Sequence, residues 1–469
     1  MKSAMLHVAL FPFMAKGHMI PLLQLVKLIH IHKPEAKFTI FTTPANEPFI
    51  VSSLTSLPPQ LINFICLCFS PTSQIIAGVE STDQLPSMSL FTPFLYATET
   101  LQPQFETALR SLQEQVVPIT CLISDGFLHW TVESASKFNI PRLSFNGMNN
   151  YSYVLYTIMV GGRLFSKVES EEELITVPGL PWVQVTRNHF DSPWNEQEPQ
   201  GSIVDYTAKC LMATSNSYGL LVNSFDELES KYLDFWNLNF QPKAWCIGPL
   251  CLAHKPKLDD CDKPNWVDWL DKKWAERRKV LYVAFGTQAE ISNEQLKEIM
   301  IGLENSRIDF LWALRIKPNQ EEIVVGLEER VQGRGLIMRG WVDQKMILEH
   351  EGIRGHLTHC GWNSTTESIC ASVPVLAMPM LAEQHLNAKM VVEELKVGLR
   401  VETCNGSTKG FVKSEELKRV IFEFMGKEHG EMVRENVEEL SKVAKKSIQE
   451  GGSSWINLES LLTDLQMRK

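Results

Sequence analysis

The segment Thr358-His359-Cys360-Gly361-Trp362-Asn363-Ser364-Thr365-Thr366-Glu367 sets a glycine turn between a short apolar run and a stretch of helical character that begins at Asn363 and Ser364. The first N–H groups of a helix have no partner within it and carry partial positive charge, which suits a diphosphate. His359 stands just before the turn and can donate to a phosphate oxygen. Glu367, one turn into the helix, can accept from ribose hydroxyls. A simple capped helix reads the same way, so this segment alone leaves both readings open. Trp341 follows the run Gly335–Arg339, at the carboxyl edge where open α/β sheets bind ligands. An exposed indole there can stack on a base, although tryptophan by type is more often core.

Other chemistries find less support. Asp260-Cys261-Asp262 is a D-x-D pattern of the kind that can hold a metal, but it lies between Lys257 and Lys263 with no preceding strand, as a solvated charge cluster would. None of the ten cysteines forms a C-x-x-C pair, and their spacing suits neither a zinc site nor a disulfide framework. A reducing compartment and a cytoplasmic location are therefore expected. The net charge of −10 argues against nucleic acid as the main partner. The start Met5–Met14 is a short apolar stretch followed at once by Lys16, so it does not read as a secretory signal, and no run is long enough to span a membrane.

The elements that position these residues follow from periodicity. At about 150 residues per domain, 469 residues make two or three domains. Leu6–Phe13, Lys37–Thr43, Leu61–Phe69, Ile119–Ser124 and Arg142–Phe145 read as strands, with helices over Pro21–His32, Thr92–Gln115 and His129–Phe138. Val177–Gly201 reads as loop, Leu220–Asn223 as a strand, and Phe225–Asp234 as a helix capped by Ser224. Gly248–Pro264 has a linker's composition. A second alternation follows. Val280–Phe285, Phe310–Leu314, Gly335–Arg339, Gly355–Thr358, Val375–Met378 and Leu399–Glu402 are strands. Helices are expected over Ser292–Leu303 (with a capping box of Ser292 and Gln295), Gln344–His350, Ser364–Ala371, Glu383–Leu395, Ser414–Met425, Glu431–Gln449 and Ser453–Leu465. This alternation is that of two doubly wound α/β units.

The stretch from Trp341 to Gln384 resembles the gapless 44-residue signature of the plant family 1 UDP-dependent glycosyltransferases. The matching residues are Trp341, Gln344, Ile347, Leu348, His350, Gly355, the run His359 to Ser364, Glu367, Pro374, Pro379 and Gln384. The resemblance extends to both halves of the chain. It implies a GT-B fold, two Rossmann-like domains facing across a cleft: residues 1–247 bind the acceptor, 248–264 link, 265–450 bind the UDP-sugar, and the helix in 451–469 packs back toward the N-terminal domain. It further implies that Trp341 stacks on uracil, that the Val342 backbone reads the base edge, and that Gln344 and Glu367 hold the ribose. His359, Gly361, Trp362, Asn363 and Ser364 would form the diphosphate site, with Thr287 of Phe285-Gly286-Thr287 beside it. Glu383 and Gln384 would bind sugar hydroxyls, Gln384 favouring glucose over galactose.

The run Ala15-Lys16-Gly17-His18-Met19-Ile20-Pro21 resembles the loop that carries the family's general base. By that resemblance His18 deprotonates the acceptor and Asp125 orients it. A neutral imidazole suits the task, and a carboxylate partner would stabilise the imidazolium. The implied reaction is an inverting transfer of glucose from UDP-glucose to a hydroxyl of a flavonoid, phenol or terpenoid, with no metal or other cofactor. Phe13, Phe91, Phe94, Phe127, Trp130, Trp182 and Trp194 are candidate pocket walls, and Asn146 a polar contact in place of a threonine common in relatives. Asp343, His356, Met378 and Glu383 depart from the commonest residues of the signature. Carbon glycosylation and another UDP-sugar remain within the same class. A Rossmann-type NAD(P) oxidoreductase and a catalytically silent UDP-sugar binder are the readings from other classes. The G-x-G-x-x-G fingerprint that the oxidoreductase wants is missing at the first strand of either half. Nothing in the sequence requires more than a monomer.

Overall fold

The computed structural model describes residues 5–70, 72, 74–75, 77–162, 164–253, 264–340, 342–407, 410–426 and 428–468. It contains two parallel sheets. The first holds β1 (His7–Phe11), β2 (Lys37–Thr42), β3 (Ile62–Cys66), β4 (Cys121–Asp125) and β5 (Arg142–Asn146). After a separate antiparallel hairpin of β6 (Ile175–Val177) and β7 (Leu180–Val185), β8 (Gly219–Val222) and β9 (Ala244–Cys246) complete it. The second sheet holds β10 (Val280–Ala284), β11 (Asp309–Leu314), β12 (Gly335–Arg339), β13 (Ile353–Thr358), β14 (Val375–Ala377) and β15 (Gly398–Arg400). Their orders are β3-β2-β1-β4-β5-β8-β9 and β12-β11-β10-β13-β14-β15. In each, the order reverses beside the first strand of the set, the doubly wound arrangement that opens a crevice at the strands' carboxyl ends.

The strands are apolar throughout because both faces of each sheet are covered. In the first unit Val8 and Leu10 face one core with Phe38, Ile40 and Ile123. Ala9 and Phe11 face another with Phe41, Phe105 and Trp130. In the second unit Leu281 and Val283 pack with Leu296 and Leu417, whereas Val280 and Tyr282 pack with Trp266 and Leu270.

Compact units and continuous segments do not coincide. The first unit takes residues 1–163, 198–254 and 446–469; the second takes 164–197 and 255–445. The helix Ser453–Met467 joins the first unit because Leu458, Leu461, Leu462 and Leu465 complete the core around Val8 and Leu10.

Several expectations need correction. Val177–Gly201 is not all loop: β7 lies within it, and Gly179, at φ +81°, makes the turn from β6. The helix expected from Pro21 begins at Lys16, since Met19, Leu22 and Leu23 all pack inward and carry it through the proline. Thr92–Gln115 is two helices, Phe91–Ala97 and Gln102–Gln113, joined by a 3₁₀ turn just before Pro103, which has no N–H to continue the ladder. Phe225, not Ser224, is the N-cap of Asp226–Asn239, without a side-chain bond. Ser292 Oγ does accept from the Gln295 N–H (3.1 Å). The Gln295 side chain instead pairs with the Val412 backbone (2.9 and 3.0 Å), so the box is half made. Glu383–Leu395 is an α-helix only over Gln384–Lys389 and a π-helix over Met390–Glu394. The helices Asn150–Gly162, Ser202–Ser215 and Glu321–Arg330 were not foreseen, their apolar residues being spread around the helix or too few.

Candidate active site

In the first unit, β1 ends at Phe11 and the chain turns through Pro12–Ala15 into the helix Lys16–His32, placing His18 in its first turn. Asp125 is the last residue of β4, the neighbour of β1, and is buried. The shared sheet edge therefore brings the two together across 107 positions of sequence: His18 Nδ1 lies 2.7 Å from Asp125 Oδ2. The other carboxylate oxygen accepts from the Phe127 N–H (2.9 Å). With Asp125 as acceptor, Nδ1 carries the proton and Nε2 the lone pair, the tautomer a general base requires. The rings of Phe13 and Phe127 sit 5.4 and 5.3 Å from the imidazole, centroid to centroid. Gly147, just past β5, also approaches the ring; a Cβ there would lie 3.3 Å from the imidazole Cε1, a tight contact.

Behind Asp125 lies Arg142, a fully buried arginine that the sequence did not single out. It donates to Ser124 Oγ (2.8 Å), Thr131 Oγ1 (2.9 Å) and the Asp125 carbonyl (3.3 Å). Burial pulls its guanidinium down to about 10, with Asp125 and Cys210 opposing. Asn146 ends β5, and its Oδ1 accepts from the Met148 N–H (3.1 Å). The Asn146 amide nitrogen is buried with no partner among the described residues, an unspent donor near the dyad's strand ends. Of the expected pocket walls, Phe13, Phe94 and Trp130 are core and Phe91 and Phe127 half-buried. Trp194 is buried and Trp182 exposed, and both fall in the second unit.

In the second unit, β13 ends at Thr358 and the chain passes through Cys360, at φ +63°, and the N-cap Gly361 into the helix Trp362–Cys370. Asn387, buried and not anticipated, donates to the Cys360 carbonyl (2.9 Å) and holds that left-handed turn. Burial pushes the Cys360 thiol up to about 12, so it is not a nucleophile. His359 packs between two glycines. A Cβ on Gly286 would come within 2.7 Å of its Nε2, and one on Gly361 within 2.6 Å. Desolvation lowers His359 to about 4, with a hydrogen bond to the Ala284 backbone opposing, so the imidazole is neutral. Thr287 follows Gly286 and is half-buried; Ser364 is buried and Asn363 half-buried in the helix's first turn. Trp362 is buried, so its side chain serves the core and only its backbone is available at the helix start.

Gln344 Nε2 donates to Glu367 Oε2 (2.7 Å) and Ser364 Oγ (3.0 Å), joining three of the expected donor contacts. Desolvation raises Glu367 to about 7, with Gln344 opposing and Asp343 adding to the rise. Asp343, where the family commonly has proline, caps the helix Gln344–Leu348 through the Met346 N–H (3.1 Å). His356, another departure, is a neutral core residue held down to about 3 by burial; its Nδ1 meets Ser368 Oγ at 2.7 Å. Val342 packs at the margin of the core around Tyr282. Trp341 and Asp260-Cys261-Asp262 lie outside the described residues. Glu383 is the N-cap of Gln384–Lys389, and Gln384 Oε1 accepts from the Met380 and Leu381 N–H groups, each at 3.0 Å.

A family model described as UDP-glucoronosyl and UDP-glucosyl transferase matches residues 266–448. UDP-glycosyltransferase 90A1 of Arabidopsis thaliana is 51% identical over 467 residues, which cover 98% of this chain and 96% of the relative. The chain belongs to the plant family 1 UDP-glycosyltransferases. Its two parallel-sheet units are the Rossmann-like domains of the GT-B fold. Similar solved structures include Glycyrrhiza uralensis UGT73P12 complexed with glycyrrhetinic acid 3-O-monoglucuronide, with a TM-score of 0.87, 28% identity, and 99% of this chain and 96% of that one covered. Medicago truncatula UGT71G1 complexed with UDP-glucose has a TM-score of 0.81 at 25% identity, with 98% of each chain covered. A UDP-glycosyltransferase is an enzyme that glycosylates small molecules from a UDP-sugar, which displaces the oxidoreductase and silent-binder readings. No helix among the described residues is long and apolar enough to cross a membrane.

Proposed function

We propose that this glycosyltransferase transfers glucose from UDP-glucose to a hydroxyl of a lipophilic small molecule, a flavonoid, phenol or terpenoid, with inversion and without a metal. The observation that carries the reading is the His18–Asp125 pair, with Nδ1 held by a buried carboxylate (2.7 Å) and two phenylalanine rings around the imidazole. The acceptor's O–H proton passes to His18 Nε2 as its oxygen attacks the anomeric carbon, and Asp125 stabilises the resulting imidazolium. The bond from that carbon to the UDP oxygen breaks on the opposite side, so an α-linked donor gives a β-glucoside. The N–H groups at the start of Trp362–Cys370 and the neutral His359 meet the charge that develops on the diphosphate. That is the role a metal would otherwise fill.

In this reading Trp341 stacks on uracil, Val342 reads the base edge, Gln344 and Glu367 hold the ribose, and Thr287, Asn363 and Ser364 contact phosphate. Glu383 accepts from sugar hydroxyls. Gln384, whose amide oxygen is taken by the Met380 and Leu381 N–H groups, offers its amide nitrogen as a donor. Phe127 and Asn146 line the acceptor side. The bound UDP-glucose of the Medicago relative supports the donor assignment. The nine described cysteines are all free, which fits a cytoplasmic protein.

The test is a donor-by-acceptor screen that reads UDP release and glycoside mass, with EDTA present and absent. Glucose transfer is expected in EDTA, and His18→Ala is expected to lower turnover by about 10²–10⁴-fold. Retained turnover in His18→Ala would reject His18 as the base. Loss in EDTA, restored by Mn²⁺, would reject the metal-independent mechanism, and an acid-stable product would show transfer to carbon.

A further inference from the structure

We propose that Asp191 is a positioning residue for the donor sugar: it locks the turn Met380–Glu383 in the one conformation that presents Glu383 and Gln384. The proposal rests on the reading of those two residues as sugar contacts.

Asp191 lies just beyond β7, in the stretch whose sequence reads as loop. Its Oδ2 accepts from the Ala382 N–H, 191 positions away and within the same compact unit. Ala382 adopts φ +54°. A left-handed conformation is unfavourable for an alanine and persists only where surrounding bonds impose it. The Met380 and Leu381 N–H groups both converge on Gln384 Oε1, and the Gln384 N–H returns to the Leu381 carbonyl (3.2 Å). Asp191 is the acceptor that the Ala382 N–H reaches from outside the turn.

Asp191 is itself held in place. Its carbonyl accepts from the Asn195 N–H (3.1 Å), and the Asn195 carbonyl accepts from Arg187 Nε (2.6 Å). Its second carboxylate oxygen lies 3.9 Å from Nε2 of the buried His385, one residue past Gln384. The carboxylate thus ties down the segment that carries the proposed sugar contacts at Ala382, and lies beside its other end without a hydrogen bond there. The ribose and diphosphate contacts from Gln344 to Glu367 make no use of it. Losing Asp191 should therefore weaken the hold on the sugar and spare the hold on the nucleotide.

The experiment uses the full chain and compares wild type, Asp191→Ala, Asp191→Asn and Glu383→Ala. It measures Kd for UDP and for UDP-glucose by calorimetry, and kcat/KM for UDP-glucose and UDP-galactose. Asp191→Ala is expected to leave UDP affinity unchanged, to lower the preference for UDP-glucose over UDP about tenfold, and to narrow the glucose-to-galactose ratio. Asp191→Asn keeps an oxygen facing the Ala382 N–H and is expected to recover most of that loss. An unchanged UDP-glucose preference in Asp191→Ala, beside a lowered one in Glu383→Ala, would overturn this proposal alone. If Glu383→Ala leaves the preference unchanged too, the sugar-contact reading itself fails. If Asp191→Ala weakens UDP and UDP-glucose equally, Asp191 serves the fold of the unit, and the proposal falls with that result.

Discussion

Glu367 shows how environment changes the chemistry of a residue whose type was plain from the start. Half-buried and desolvated, its carboxyl rises from the ordinary 4.5 to about 7, with Asp343 adding to the rise. A carboxyl raised in the folded state contributes stability that is complete below its unfolded value and is lost as pH climbs through its folded one. Urea unfolding should show wild type losing ground to Glu367→Gln between pH 5 and 8, at up to about 1.4 kcal/mol per unit of displacement. Donor binding has the opposite sign. Ribose hydroxyls donate to the ionised form, so affinity for UDP-glucose, whose diphosphate keeps one charge state over this interval, should rise with pH in wild type and rise less in the variant. A flat wild-type profile would remove Glu367 from the ribose site. At this scale the residue types and spacing in the signature were legible in the sequence. The protonation states were not, because they depend on burial and on neighbours such as Asp343.

At the scale of elements, the helix Ser453–Met467 is the clearest case of a segment whose place is fixed by its apolar face. Leu458, Leu461, Leu462 and Leu465 recur at helical spacing and are each about 1% exposed within the first unit's core. Removing one leaves a cavity there, so Leu462→Ala should cost about 2–5 kcal/mol in denaturant unfolding. A loss below 1 kcal/mol would mean that the helix is loosely attached. Strands and strongly periodic helices of this kind could be read from the sequence. The hairpin of β6 and β7 could not: its proline and tryptophan content masks a short alternation. Helix starts were similarly hidden, since Lys16–Ile20 becomes helical only by packing on the sheet.

At the scale of the molecule, two units each carry half of the proposed chemistry: His18 and Asp125 in one, the nucleotide site in the other. UDP alone should therefore protect the second unit. In hydrogen exchange at about 100 times Kd, where ligand linkage reaches about 2.7 kcal/mol, protection should concentrate in Ala284–Thr287 and Thr358–Ser368. The stretch His7–Phe11 should be unaffected. Protection centred on the first unit would reverse the assignment of donor and acceptor sides.

The alternation of strand and helix, the glycine turn before Asn363 and the signature from Trp341 to Gln384 can all be read from residue order, because they depend on residue type at short spacing. The folded chain supplied the 2.7 Å contact behind the expected His18–Asp125 pair, the seat of His359 between Gly286 and Gly361, and the reach of Asp191 to Ala382. Each of these contacts joins residues that are near only after parallel strands and their crossovers have folded, and no local pattern encodes a distance across the fold.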